Sequence, residues 1–143
     1  PNSTDISAAL GHGKRIEEFF CSYYAQKFKL KIKIARCFSF VGPYLQLNIH
    51  YAIGNFIRDV LNGGPIVIKG DGTAIRSYLY AADLIIWLIT ILAKGKSIYP
   101  YNVGADESID ILTLARLVAR CSGRNINIII EKQKHFNQAK NIY

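Results

Sequence analysis

Alternating helical and extended patterns predict an α/β fold containing at least part of a parallel sheet. Three observations carry that expectation. Segments with apolar residues at helical spacing, such as residues 11–28 and 51–61, alternate with short runs rich in Ile, Val and Tyr, such as 65–69 and 126–130. Glycine and proline clusters fall between these runs, where turns are needed. Hydrophobic residues make up 50% of the 143 and charged residues 20%, a balance that supports a packed core rather than disorder. The length is one domain's worth of chain, or a piece of a larger domain.

The opening stretch PNSTDISAA is polar and turn-like. From Gly11 the spacing becomes helical, and Ile16, Phe19, Phe20, Tyr23, Tyr24 and Phe28 form one apolar stripe. Residues 30–38 read as a strand, mostly buried at the Cys37 end, and Val41-Gly42-Pro43 then opens a loop. Residues 51–61 are helical again, burying Ala52, Ile53, Phe56, Ile57, Val60 and Leu61. Asn62-Gly63-Gly64-Pro65 stops this helix, because Gly supplies a left-handed cap and Pro cannot continue. Residues 65–69 and 73–79 are two short strands around Gly70-Asp71-Gly72, which has the chemistry of a hairpin turn. Asp83 is placed to cap a helix running to Lys94, and Trp87 within it is expected in the core. Gly95 begins a loop, residues 101–103 are extended, and Asp110 or Ser108 caps a last helix through Cys121 with Gly123 as its stop. Residues 126–130 form a final strand. No repeat or low-complexity stretch appears.

The net charge of +8 and pI near 9.5 fit a nucleic acid, a membrane surface or an acidic substrate such as a diphosphate. Lys27, Lys29, Lys31 and Lys33 alternate with Phe28, Leu30, Ile32 and Ile34, the pattern of a strand with one buried and one wet face. The charge therefore reads as a solvated face rather than a nucleic-acid patch. Cys21, Cys37 and Cys121 are odd in number and lack C-x-x-C spacing, as expected of reduced cysteines in a cytoplasmic protein. The longest apolar run, residues 84–93, falls short of the roughly 20 residues that span a bilayer, and no secretory leader is expected. His50 and His135 have no partners at metal spacing, so no metal site is expected. No G-x-G-x-x-G or related turn follows an early strand.

Five segments fall in the order of one known family. Gly11-His12-Gly13-Lys14-Arg15 with Glu18 resembles a Y-G-x-x-K-x-x-x-E helix start. Residues 35–43, ARCFSFVGP, resemble A-R-x-F-N-x-Y/V-G-P, and residues 52–57, AIGNFI, resemble A-I-x-x-F-I. Residues 63–83, GGPIVIKGDGTAIRSYLYAAD, carry G-x-P-I-x-I-x-G-D-G and R-S-Y, and Tyr101-Asn102-Val103-Gly104 closes the series with Y-N-V-G. Over residues 10–122 the chain thus resembles the C-terminal half of the NAD-dependent epimerase/dehydratase family, the extended short-chain dehydrogenase/reductases. Within that family it looks most like the dTDP-glucose 4,6-dehydratase group.

The resemblance implies a partial Rossmann-like parallel sheet plus the smaller substrate-binding region. Residues 1–143 would form a single truncated unit, with 10–47 the end of the Rossmann-like part and 48–143 the substrate-binding part. It also implies a nucleotide-diphosphate sugar as substrate, NAD or NADP as cofactor, and a role in making surface polysaccharide. Enzymes of this type oxidise the sugar, epimerise it or eliminate from it, and return the hydride, the cofactor carrying the hard step. A tyrosine four residues before a lysine acts as base, the two sharing one helix face. Lys14 stands at the lysine position, where it would also contact cofactor, but Leu10 stands at the tyrosine position and has no proton to give. Neither His12 nor Tyr23 lies at i−4 from Lys14, whose plainer role is a surface lysine near Glu18.

The resemblance implies that Arg76, in its R-S-Y segment, is the diphosphate ligand, a role that a guanidinium fork suits. Asn55 and Ser39 fall at substrate-contact positions, Ser39 replacing the family's usual asparagine with a single hydroxyl. Gly70, Asp71, Gly72 and Asn102 are read as structural. Residues 132–143 depart from the family pattern. A sheet incomplete at both ends would leave an apolar edge, to be covered by self-association or by a separate N-terminal half. Three readings stay open: an enzyme part inactive alone, a non-catalytic sugar-nucleotide-binding remnant, and a basic nucleic-acid-binding protein.

Overall fold

A computed structural model describes residues 4–49 and 51–132. Along the chain the elements are α1 (Ala9–Phe28), β1 (Ile34–Cys37), β2 (Ser39–Val41), α2 (Ala52–Leu61), β3 (Ile66–Ile68), β4 (Ile75–Arg76), β5 (Tyr78–Tyr80), α3 (Ala81–Lys94), β6 (Pro100–Val103), β7 (Ile109–Asp110), α4 (Ile111–Cys121) and β8 (Ile128–Ile130). They fall into two compact units. One is built from the chain up to Phe38 and from Ala81–Gly104, the other from Ser39–Tyr80 and from Ala105 onward.

In the first unit β1 and β6 pair in parallel, from Ile34 opposite Pro100 to Cys37 opposite Val103. Residues 30–33, expected to extend the strand, do not. Lys29 takes a left-handed conformation (φ 54°) that closes α1, and its N–H donates to the Ala25 carbonyl. The Ile32 carbonyl is then spent on Ile98 N (2.9 Å) and Ser97 Oγ (3.3 Å), and Lys33 Nζ reaches the Gly95 carbonyl. Burial along β1 is the reverse of expectation: Ile34 is buried and Cys37 exposed.

The aromatic stripe of α1 forms as its spacing requires. Tyr24 stacks on Phe28 (centroids 5.7 Å apart) and Tyr23 meets Tyr24 edge-on at 5.4 Å. Within the described chain, however, Ala25 alone of α1 is buried. In α3 the same holds for Ile91, and Trp87 is 43% exposed rather than in the core. This helix is apolar around its whole circumference, and β6 packs on one side of it. Asp83, expected just before the helix, lies inside its first turn, where a carboxylate meets the positive end of the helix dipole. No described helix is long and apolar enough to cross a membrane.

The second unit carries the better-packed core. Ile53, Phe56 and Val60 lie on one face of α2 and meet Leu114 and Ala115 of α4 over Ile66 and Ile68 of β3. Leu61, expected among them, is exposed because it stands about 100° further round the helix than Val60. β3 pairs in parallel with β8, Ile66 opposite Ile128, and β2 with β5, Ser39 opposite Tyr78. The parallel pairs bear out the α/β expectation.

The expected hairpin does not form. β3 pairs with β8, whereas β4 pairs antiparallel with β7, so the strands flanking Gly70-Asp71-Gly72 never meet each other. The turn docks on α4 instead. Gly72, at φ 81°, accepts from Leu112 N at 3.0 Å, and a Cβ there would sit 3.1 Å from Leu112 Cβ. Ala74 O accepts from Ile111 N at 3.1 Å, so loop carbonyls occupy the first amides of α4.

Helix ends follow the capping chemistry. Gly63 (φ 72°) donates to Val60 O at the end of α2. Asp110, rather than Ser108, caps α4, its Oδ1 accepting from Thr113 N at 2.8 Å and its Oδ2 from Thr113 Oγ1 at 2.6 Å. These bonds hold the Asp110 carboxyl below its ordinary value, the Thr113 hydroxyl contributing most. A depressed carboxyl stabilises the fold above its unfolded pKa of about 3.9 and stops doing so as pH falls through its folded value. Asp110→Ala should therefore lower the melting temperature at pH 7, and the gap from the parent should close in acid melts below pH 3.9.

Candidate functional site

Residues 52–74, with Ile111, line a cleft of about 370 Å³ within the second unit. Its wall is the polar edge of α2 (Asn55, Arg58, Asp59), and its floor is Val67 and Ile68. The opposite lip is the Lys69-Gly70-Asp71-Gly72 turn. Local chemistry explains each part. Asn55 and Arg58 are three residues apart and share a helix face. The lip is held by an Asx turn, in which Asp71 Oδ1 accepts from Thr73 N (3.0 Å) and Thr73 Oγ1 (2.8 Å).

The polar wall is cross-linked. Arg58 Nη1 donates to Asn55 Oδ1 at 3.1 Å and to Leu47 O at 3.4 Å. Arg58 Nε and Nη2 donate to Asp59 Oδ1 at 3.2 and 2.9 Å. Asp59 Oδ2 accepts from Val67 N at 3.4 Å, tying α2 to β3. Across the cleft Lys69 is exposed and makes no ion pair among the described residues. The Asn55 amide and the Lys69 ammonium line the cleft as donors, while its two carboxylates, Asp59 and Asp71, are taken up by Arg58 and by Thr73; such a lining suits a polar, oxygen-rich ligand.

The other expected contacts lie elsewhere in this unit. Arg76, on β4, is exposed, and its side-chain Nη1 donates to the neighbouring Ile75 carbonyl at 2.8 Å. Burial pushes the Tyr78 phenol up while the charge of Arg76 pulls it partly back. Ser39 is half-buried on β2, opposite Tyr78 in the β5 register. Neither Arg76 nor Ser39 lines the cleft; Asn55 does. Arg58 and Asp59 carry no motif of their own, and only their place one turn beyond Asn55 could have drawn attention to them.

Lys14 belongs to the first unit. It lines a separate cleft of about 610 Å³ with Glu17, Glu18, Cys21, Lys33 and Arg36. Its ion partner is Glu17, Nζ to Oε2 at 2.9 Å, and not the expected Glu18. Glu18 is taken by Arg36 through two bonds of 2.7 and 2.6 Å, which hold its carboxyl below the usual range. Leu10, four residues before Lys14 on α1, is 76% exposed. Asn102 pairs with Arg36 in the β1–β6 register, a structural place. The three cysteines are free thiols, and no described cluster of His, Cys, Asp or Glu could hold a metal. His50 and His135 lie outside the described residues, as does nearly all of 132–143.

The sequence profile of the NAD dependent epimerase/dehydratase family matches residues 7–104. UDP-glucuronic acid decarboxylase 1 of Xenopus tropicalis is 30% identical over 128 residues, covering 88% of this chain and 30% of that protein. UDP-glucuronic acid 4-epimerase of Bacillus cereus, solved with UDP-glucuronic acid and NAD, is 29% identical with a TM-score of 0.70, over 81% of this chain and 37% of that one. UDP-glucose 4-epimerase of Thermotoga maritima, solved with UDP-glucose, superposes with a TM-score of 0.80 at 21% identity, over 88% of this chain and 41% of that one. The chain thus spans about a third of the length of the relatives it matches.

Proposed function

Because this chain belongs to the NAD dependent epimerase/dehydratase family, we propose that it forms the C-terminal, substrate-side part of an NAD(P)-dependent nucleotide-sugar enzyme. Residues 10–47 are the end of its Rossmann-like part and residues 48–143 its substrate-binding part. The substrate class is a nucleotide-diphosphate sugar, modified in the cytoplasm for surface polysaccharide. The observation that carries this reading is the cleft between Asn55 and Gly72, because two of the segments that resemble the family, residues 52–57 and 63–83, line it together.

In this reading the chain's own residues bind and orient. Arg76, spent on one backbone carbonyl, has N–H donors left for diphosphate oxygens. Asn55 offers its amide, and Ser39 one hydroxyl. NAD, when bound in such enzymes, supplies hydride transfer. The residues present fit it poorly: Lys14 is ion-paired to Glu17, Leu10 replaces the base, and no dinucleotide turn occurs in the sequence.

Calorimetry tests the assignment directly. UDP or dTDP should bind the chain, and Arg76→Ala should weaken binding by about tenfold or more, the worth of a charge-assisted hydrogen bond. Unchanged affinity in Arg76→Ala would remove Arg76 from the site. Leu10 favours a second reading, a non-catalytic remnant that keeps the sugar-nucleotide pocket. That reading makes the same binding prediction for the chain alone and differs in giving it no place in a larger working enzyme.

A further inference from the structure

The polar wall of the cleft contains a residue that the family motifs do not point to. We propose that Arg58 is a positioning residue: with Asp59 it locks the Asn55 carboxamide so that its NH2 group, not its oxygen, is offered to an acceptor oxygen of the bound nucleotide diphosphate. This rests on the sugar-nucleotide reading of the cleft.

The chemistry of the contact fixes the orientation. A guanidinium has donors only, so the Asn55 atom 3.1 Å from Arg58 Nη1 must be the carboxamide oxygen. The NH2 group is then what Asn55 has left for a ligand. An unanchored carboxamide turns over by half a revolution and presents either end, and an oxygen facing a phosphate oxygen is repulsive. Arg58 removes that freedom because it is itself held at three nitrogens. Its Nε and Nη2 hold Asp59 Oδ1, its Nη1 also reaches Leu47 O, and Asp59 is anchored to Val67 N of β3. Asp59 is 16% exposed and Arg58 37%, so the pair is anchored on its Asp59 side and reaches water on the other. Spacing completes the device: Asn55 and Arg58 at i and i+3 bring the two side chains together without strain.

The test combines UDP calorimetry with 15N NMR of the side-chain amides in the full 143-residue protein. The Asn55 NH2 pair is identified as the one missing from Asn55→Ala. Arg58→Met, which keeps the aliphatic stem, should shift that pair and weaken UDP binding about three- to tenfold, the cost of ordering one side chain anew. It should add nothing in an Asn55→Ala background, and Arg58→Lys, which still donates, should retain most of the affinity. Should Arg58→Met fail to fold, Arg58→Leu, which also lacks a donor, carries the same comparison. An equal loss from Arg58→Met with and without Asn55, or an unmoved NH2 pair, overturns the positioning role. If Asn55→Ala binds UDP as the parent does while Arg76→Ala binds it worse, this inference falls and the sugar-nucleotide reading stands. If the parent binds no UDP, both fall.

Discussion

The purified 143-residue protein should convert no UDP- or dTDP-sugar when supplied with NAD, at any pH between 6 and 9. The expectation follows from one residue and one missing motif. A positioned general base contributes roughly 10²–10⁴ in rate, and Leu10 stands where the family's base would be, one turn before Lys14. These 143 residues hold no pyrophosphate-binding turn, so by themselves they offer the cofactor no such anchor. For the same reason Leu10→Tyr alone should not create activity, although it should place a phenol beside the Lys14–Glu17 pair. Chromatography of the sugar nucleotide after prolonged incubation is the direct check. Conversion that depends on added NAD would show that another group, or another architecture, replaces the missing parts, and it would rule out the remnant reading.

Ile66→Ala should be the most damaging conservative change in the second unit. Ile66 is fully buried between α2 and α4, and its neighbours Phe56 and Leu114 are 3% exposed each. Truncating an isoleucine in such a place costs about 2–5 kcal/mol, the spread depending on how far the cavity collapses. For a domain this small that is a large part of the total stability. The urea midpoint should drop accordingly. Ile129→Ala, on the exposed side of β8, should leave it nearly unchanged. Equal effects at the two positions would mean that the core is not where α2, α4 and β3 place it.

How much could be read from the residues alone divides by the range of the interactions. α2 and α4 were legible because their apolar spacing, the Gly63 turn and the Asp110 cap are all local signals. The segment after β3 was not. An Asx turn at Asp71 looks the same whether the next strand folds back or leaves, and the choice was made by residues 128–130, about sixty positions away. The lysine alternation after α1 misled for a related reason. A strand needs a partner, and β6 offers only Pro100–Val103. Trp87 and the α1 aromatics were expected to pack because of their composition, but composition cannot say whether the covering surface is present. At the site, motif order pointed to Asn55. Arg58 stayed hidden because its importance lies in the direction of its hydrogen bonds and not in its identity. The neighbour of Lys14 was missed by one residue, since Glu17 and Glu18 both lie within helical reach and Arg36, from another element, claimed the second.

Trp87 is the only tryptophan in the chain. Because it sits on a wet helix, its indole emission belongs to α3 alone and starts from a partly hydrated state. Whatever comes to lie on that helix, whether lipid, detergent or polypeptide, will strip water from the ring and move its fluorescence to shorter wavelength. The exposed indole is thus a native optical gauge for cover on α3, legible without attaching a dye or changing a residue.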